Sequence, residues 1–213
     1  MQPPQVYCHA PKLWGMPAKI LDAEQGLEFA VRACEELLDK HNSPVVLIDG
    51  RAGSGKTHFA KALSERIFQS QRQLPKLIQM DDIYPGWDGL RAGAQYLNHL
   101  ILTPITQGQA ASWQIWDWGN NQRGAPTEPA NGWRSFEGGN LVIVEGCGSI
   151  SKAARDLAQL CIWVESDAPT RKQRYSDRDD GIFDEFYLAW SIQEDEFYQA
   201  ESSQEFADLI ISN

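Results

Sequence analysis

No stretch of the 213 residues approaches the run of about 18 apolar residues that a membrane span requires. The start, Met1-Gln2-Pro3-Pro4, lacks the basic and apolar regions of a secretion signal, so a cytoplasmic protein without a membrane partner is expected. Cysteine is sparse, and Cys8, Cys34, Cys147 and Cys161 show no C-x-x-C spacing that would mark a zinc or redox site. Cys34 falls on the apolar face of a helical pattern and Cys161 inside a strand-like run, where both read as small core residues. The histidines His9, His41, His58 and His99 are equally dispersed, and no Ser-His-Asp order emerges. Basic residues are in deficit: 19 Lys and Arg against 29 Asp and Glu give a net charge of −10. That balance repels a phosphate backbone and argues against nucleic acid as a partner.

What the chain does contain is one highly specific stretch, Val45-Val46-Leu47-Ile48-Asp49 followed by Gly50-Arg51-Ala52-Gly53-Ser54-Gly55-Lys56-Thr57. Four apolar β-formers run into a Gly-x-x-x-x-Gly-Lys-Thr loop, and Phe59, Ala60, Leu63 and Ile67 then recur at helical spacing. Strand, loop and helix in that order form a phosphate cradle. Backbone N–H groups of residues 50–57 converge on an anion, and the helix adds its positive dipole end. Lys56 is placed to reach the β- and γ-phosphates of a nucleoside triphosphate such as ATP, and the Thr57 hydroxyl to ligate Mg²⁺.

The remaining pattern is that of an α/β domain. Residues 1–23, with Pro3, Pro4, Pro11 and Pro17, show no period and are expected to wrap over the surface. Leu27, Ala30, Val31, Cys34, Leu37 and Leu38 mark a helix that stops at Asn42-Ser43-Pro44. Residues 77–80 predict a short strand that delivers Asp81, Asp82 and Tyr84 to the same sheet edge as the phosphate loop. A carboxylate there can take the proton of an attacking hydroxyl, and it adds an oxygen for the metal; the competing role for either acid is a helix cap. Residues 88–102 predict a helix. Residues 141–145 read as a buried parallel strand whose Glu145 points to Mg²⁺, and residues 151–159 as a helix. Strands at 160–164 and 207–211 complete five, mainly parallel, with helices on both faces.

Residues 103–139 have little periodicity and carry Trp113, Trp116, Trp118 and Trp133. The alternation over 113–118 predicts a small hairpin in a substrate cap, where aromatic rings either stack on a planar ligand or hold the loop down. Further on, Arg171, Arg174 and Arg178 stand at i, i+3 and i+7 on one helix face, in a chain short of cations. We read them as a clamp on polyphosphate in preference to a solvated stripe. A final helix carries Phe183, Phe186, Tyr187, Trp190, Glu194 and Phe197 at core spacing. The whole is one domain: an extension and helix (1–43), a phosphate-loop core (44–102), the cap (103–139) and the remaining strands, lid and helix (140–213).

In this order the motifs resemble those of the uridine kinase family, within the phosphoribulokinase/uridine kinase branch of P-loop kinases. The resemblance runs from about 44 to 212. It rests on the Gly-Lys-Thr loop, on Asp81-x-x-Tyr84, and on Ile115-Trp116-Asp117-Trp118 with Asn121-Gln122-Arg123 where the family has Ile-Tyr-Asp-Phe and His-x-Arg. It continues through Glu145-Gly146, the arginine-bearing run 167–179, and Ala207-Asp208-Leu209-Ile210-Ile211. The resemblance implies transfer of a γ-phosphoryl group to a hydroxyl of a nucleoside-like small molecule. In it the residue matched by Asp81 acts as base, Glu145 helps hold Mg²⁺, and the lid arginines neutralise phosphate. Asp82, Tyr84, Trp116, Asp117, Asn121 and Arg123 would then contact substrate. Asn121 in place of the family's His and Trp116 in place of its Tyr leave the acceptor open. Kinases of nicotinamide riboside, pantothenate or a nucleoside monophosphate remain alternatives, the last requiring Arg91, Arg123 or Arg134. A nucleotide-binding regulatory ATPase is the reading from another class.

Overall fold

The computed structural model describes residues 18–178 and 180–213; the proline-rich start with Cys8 and His9, and Asp179 at the end of the arginine run, lie outside them. The chain opens with β1 (Lys19–Asp22) and α1 (Ala23–Leu38), whose N-terminus is capped by Asp22 accepting from the Gln25 amide at 2.8 Å. Next come β2 (Val45–Asp49), α2 (Lys56–Gln71), β3 (Lys76–Gln79) and a 3₁₀ turn, Met80–Asp82. The helix expected at 88–102 begins as α3 (Leu90–Tyr96), widens into a π-helical stretch (Leu97–Leu102) and ends in α4 (Thr103–Thr106).

The tryptophan-rich segment forms two small antiparallel pairs. In one, β4 (Ala111–Gln114) lies beside β7 (Trp133–Phe136); in the other, β5 (Trp116–Asp117) turns back on β6 (Gln122–Arg123). Then follow β8 (Val142–Glu145), α5 (Lys152–Arg155), β9 (Leu160–Glu165), α6 (Ala168–Arg178), α7 (Asp184–Glu201) and β10 (Leu209–Ser212). The helix expected over 151–159 is only the four residues of α5, capped by the Ser151 hydroxyl, because the chain must turn back at once into β9.

The main sheet has the order β1-β10-β9-β2-β8-β3, and every pairing in it is parallel. Five strands were expected; there are six. The extra one, β1, carries no alternation to betray it. Its four residues lie on an edge with Ile20 70% exposed, and backbone pairing to β10 holds it there.

The inner strands are buried on both faces, which is why β2, β8 and β9 read as continuous apolar runs. One face, with Val46, Ile48, Ile143 and Ile162, packs against Cys34, Leu37, Phe59 and Leu63 of α1 and α2. The other, with Leu47, Val144 and Cys161, packs against Tyr84, Leu97, Trp113, Trp190 and Phe197. Each such aliphatic side chain contributes about 1.5–3 kcal/mol on burial. An enclosed ion pair, Arg155 to Asp208 at 3.1 Å, ties α5 to β10, and Asp208 also accepts from the Cys161 amide. Among the described residues no helix is long and apolar enough to cross a membrane.

Candidate active site

Parallel pairing puts the C-terminal ends of β2, β3, β8 and β9 on one edge, and the loops that leave them meet there. From β2 the chain passes through residues 50–55 into α2. Gly50, Gly53 and Gly55 adopt φ of 150°, 77° and 98°. A side chain at Gly53 would run into the carbonyl of Arg171, so the lid helix α6 sits directly over the loop. Lys56 is buried, with Nζ 3.4 Å from the Arg51 carbonyl. Burial works against its ammonium form, but the negative groups around it (Cys147 if ionised, Glu145, Asp81 and Glu194) outweigh that and hold its pKa above that of an ordinary lysine.

Thr57 donates its hydroxyl to Glu145 at 3.0 Å, and Gln79 donates to the other carboxylate oxygen at 3.0 Å. Burial raises the Glu145 pKa, partly countered by Lys56 and by these two donors. The donor set is hard oxygen only, with few protein ligands, as suits a Mg²⁺ ion held mostly by nucleotide phosphates and water. Among the described residues no group of three or more His, Cys, Asp or Glu is placed to hold a metal by itself.

Behind the loop stand two buried carboxylates. Asp49, at the end of β2, accepts from the amides of Gly50 (2.7 Å), Gly148 (3.0 Å) and Ile150 (2.8 Å) and from the Tyr198 hydroxyl (2.8 Å). Burial pushes its carboxyl up to about 6 against the pull of those donors. Glu194, from α7, accepts from the Ala52 amide at 2.7 Å and the Cys147 thiol at 3.2 Å. Its second oxygen has no hydrogen-bond partner and faces the Arg51 guanidinium at 3.6 Å. The two acids fix the loop's curvature from below, and both are invisible to a motif search.

In front of the loop lies a cavity of about 510 Å³. Gly53, Gly55, Lys56, Thr57 and Glu145 line it together with Asp81, and Arg174 and Arg178 reach it from the lid. Arg178 reaches Asp81 at 3.9 Å, and the Trp118 indole N–H donates to the Asp81 carbonyl at 2.9 Å. Tyr84, Trp87, Tyr175, Phe183 and Trp190 make the remaining wall.

The structure brings together some of the residues singled out from sequence and separates others. Arg174 donates to the Ser54 carbonyl at 3.4 Å, whereas Arg171 turns back to the Ser166 carbonyl at 3.0 Å. Arg51 leaves the cradle to pair with Asp195 at 2.6 Å. Asp82 sits beside Asp81, its carboxyl raised by burial and by that neighbour, and does not line the cavity. Tyr84 donates to the Cys147 carbonyl at 2.7 Å. Of the hairpin, Trp118 reaches the cavity and Trp116, Asp117, Asn121 and Arg123 do not. Asp117 accepts from Asn120, Asn121 holds the turn at φ 51°, and Arg123 lies over the Tyr96 ring at 3.8 Å. Trp190, Phe183 and Glu194 were visible only as members of a helical pattern, and Tyr175 only as part of the arginine-bearing run; a lone carboxylate on the apolar stripe of α7 was the one available signal for Glu194.

No protein-family model and no curated protein matches the sequence. Solved structures do. One described as a possible uridine kinase from Bacillus stearothermophilus superposes with a TM-score of 0.59 at 18% identity, over 87% of this chain and 98% of that one. A D-glycerate 3-kinase from Cryptococcus neoformans var. grubii gives 0.51 at 13% identity, over 89% and 95%. At such identities the likeness is one of architecture: the chain shares the fold of these two structures.

Proposed function

We propose that the protein is a phosphotransferase, working in the cytoplasm, that moves the γ-phosphoryl group of ATP or another nucleoside triphosphate to a hydroxyl of a small uncharged molecule. One observation carries the reading: a single cavity is lined by both the phosphate loop with Lys56 and the Asp81 carboxylate, under an arginine-bearing lid. A pure nucleotide sensor has no need of the second carboxylate. The nucleoside implied by the sequence resemblance is one acceptor of this kind.

In this mechanism the loop amides and Lys56 hold the triphosphate, and the low-dielectric floor strengthens that hold. Thr57 and Glu145 would hold Mg²⁺, which neutralises phosphate charge when bound. Asp81 orients the acceptor hydroxyl and takes its proton. Arg174 and Arg178 lie over the charge that develops on the transferring group, as the α6 stripe anticipates. Arg178 also pairs with Asp81, so a bound acceptor must slip between them; that keeps base and lid in register.

An uncharged acceptor is supported by the arginines that a phosphorylated one would need. Arg91 pairs with Glu201 at 3.7 Å, Arg134 with Glu128 at 2.9 Å, and Arg123 lies on Tyr96, all three outside the cavity. The test is Asp81→Asn. Its turnover should fall by about 10²–10⁴-fold, with nucleotide binding retained. Turnover close to that of the parent enzyme would remove Asp81 from the base role.

A further inference from the structure

Resting on the phosphotransferase reading, we infer that Trp118 is a positioning residue for the base: its indole N–H, delivered by the cap hairpin, fixes the backbone of Asp81 and so the direction in which the carboxylate leaves the chain. Asp81 lies in the 3₁₀ turn Met80–Asp82 that follows β3, and its side chain is 65% exposed. Packing therefore does little to hold it. The turn's own amides do not hold its carbonyl either. Those of Ile83 and Tyr84 both donate to Met80, at 2.8 and 3.1 Å. The residue four positions on is Pro85, which has no N–H to give. The Trp118 indole supplies that donor at 2.9 Å, from 37 residues along the chain.

The hairpin aims the indole. Trp116 and Asp117 of β5 pair with Arg123 and Gln122 of β6, so residues 118–121 form the connecting turn. The Asp117 carboxylate closes that turn by accepting from the Asn120 backbone amide at 3.0 Å and from its side-chain amide at 2.8 Å, the local bonding that suits Asp to turns. Asn121 completes it at φ 51°, a left-handed conformation that Asn tolerates. The Trp118 ring then leans on Trp87 at 5.1 Å, and Trp87 is itself stacked on Phe186 at 4.4 Å. Asp117 and Asn121, which do not line the cavity, thus act on it through Trp118.

A ring braced on one face and bonded at its N–H ties the cap to the base at two points. With the carbonyl held, the peptide plane after Asp81 cannot swing, and the side chain starts from a fixed backbone. Arg178, 3.9 Å from the carboxylate, sets its far end. Such control matters because a misplacement of 1 Å at a reacting group costs about 10²-fold in rate.

The test is a double-mutant cycle of Trp118→Phe and Asp81→Asn, with ADP formation from Mg·ATP measured on uridine, cytidine, nicotinamide riboside and pantothenate. Trp118 is 40% exposed, so its replacement spares the core. Trp118→Phe keeps a ring against Trp87 and loses the donor. It should lower kcat about ten-fold while the KM for ATP and for the acceptor stays within about two-fold. In the Asp81→Asn background it should have no further effect, because the tie acts through that carboxylate. Benzothienylalanine at position 118, which puts sulfur in place of the indole N–H at nearly the same shape, should reproduce the loss. In parallel, ¹H–¹⁵N spectra of the Mg·ADP-saturated protein should show a Trp118 indole proton protected from exchange with water, and amide shifts at Asp81 and Asp82 on Trp118→Phe. A kcat loss of equal size in both backgrounds, or an effect on KM alone, overturns this inference and leaves the kinase intact. A parent enzyme that forms no ADP in response to any acceptor overturns the kinase reading. The spectra then judge the tie by themselves: a protected indole keeps it, and a freely exchanging one overturns it too.

Discussion

Glu194 offers a perturbation whose size follows from the geometry. It is fully buried, its Oε1 accepts the Ala52 amide at 2.7 Å, and its Oε2 lies 3.6 Å from Arg51. Glu194→Ala leaves the Ala52 N–H buried without a partner, a cost of about 1–3 kcal/mol. One buried methylene is lost as well, worth roughly 0.8 kcal/mol before any cavity term. Part of this is offset, because a carboxylate with one unpartnered oxygen is itself expensive to bury. Arg51 also keeps Asp195 at 2.6 Å, so no cation is stranded. The net loss is about 1–3 kcal/mol, which for a chain of this length lowers Tm by about 2–12 °C. Glu194→Gln keeps a carbonyl oxygen for the same amide and should cost less than about 1 kcal/mol. Thermal unfolding by circular dichroism, alongside the KM for ATP, separates the two variants, and only the alanine one should also loosen nucleotide binding. If Gln proves as damaging as Ala, charge and not the amide acceptor is what the loop requires. If Ala is harmless, the tie from α7 to the loop carries no weight.

Two further perturbations probe the same scaffold. The Asp49 carboxyl titrates near 6 in the fold against an ordinary 3.8, so the folded state binds its proton more tightly than the unfolded chain. Its contribution is therefore greatest below pH 3.8 and is lost as pH rises through about 6, about 3 kcal/mol in all. Measured by urea unfolding, the stability of the parent relative to Asp49→Asn should fall by about 2–2.5 kcal/mol between pH 4 and 7; a constant difference would contradict it. Gly53→Ala places a side chain at φ 77° against the Arg171 carbonyl. Backbone strain of roughly 1–2 kcal/mol and a displaced lid should lower kcat/KM for ATP about ten-fold or more, and an unaffected variant would mean that α6 does not close on the loop.

The phosphate loop was legible because its cause is local: glycines where the backbone must turn, then a lysine and a threonine at the first turn of a helix. Strands β2, β8 and β9 were legible because burial on both faces demands unbroken apolar runs. The edge strand β1 lacked that demand, since Lys19, Ile20 and Asp22 face solvent and only their backbone is paired. Asp49 and Glu194 could be seen as residues but not as parts of the site. Their partners, Gly148, Ile150, Tyr198, Ala52 and Cys147, are brought to them by the tertiary fold alone. In the cap, the four tryptophans were conspicuous, but periodicity does not say which ring turns inward. Trp113 is core, Trp133 is half exposed, and Trp118 meets Trp87 over the cavity because the β5–β6 turn swings it there.

The most direct test of the central claim is acceptor-dependent ADP formation from Mg·ATP, with Lys56→Ala as the blank. The panel should span nucleosides, nicotinamide riboside, pantothenate and nucleoside monophosphates. The account predicts that one uncharged alcohol stimulates ADP release stoichiometrically with its own phosphorylation, and that Lys56→Ala abolishes both. ATP hydrolysis that proceeds at the same rate with every compound and with none would contradict it, and would identify a nucleotide-hydrolysing regulator in place of a kinase.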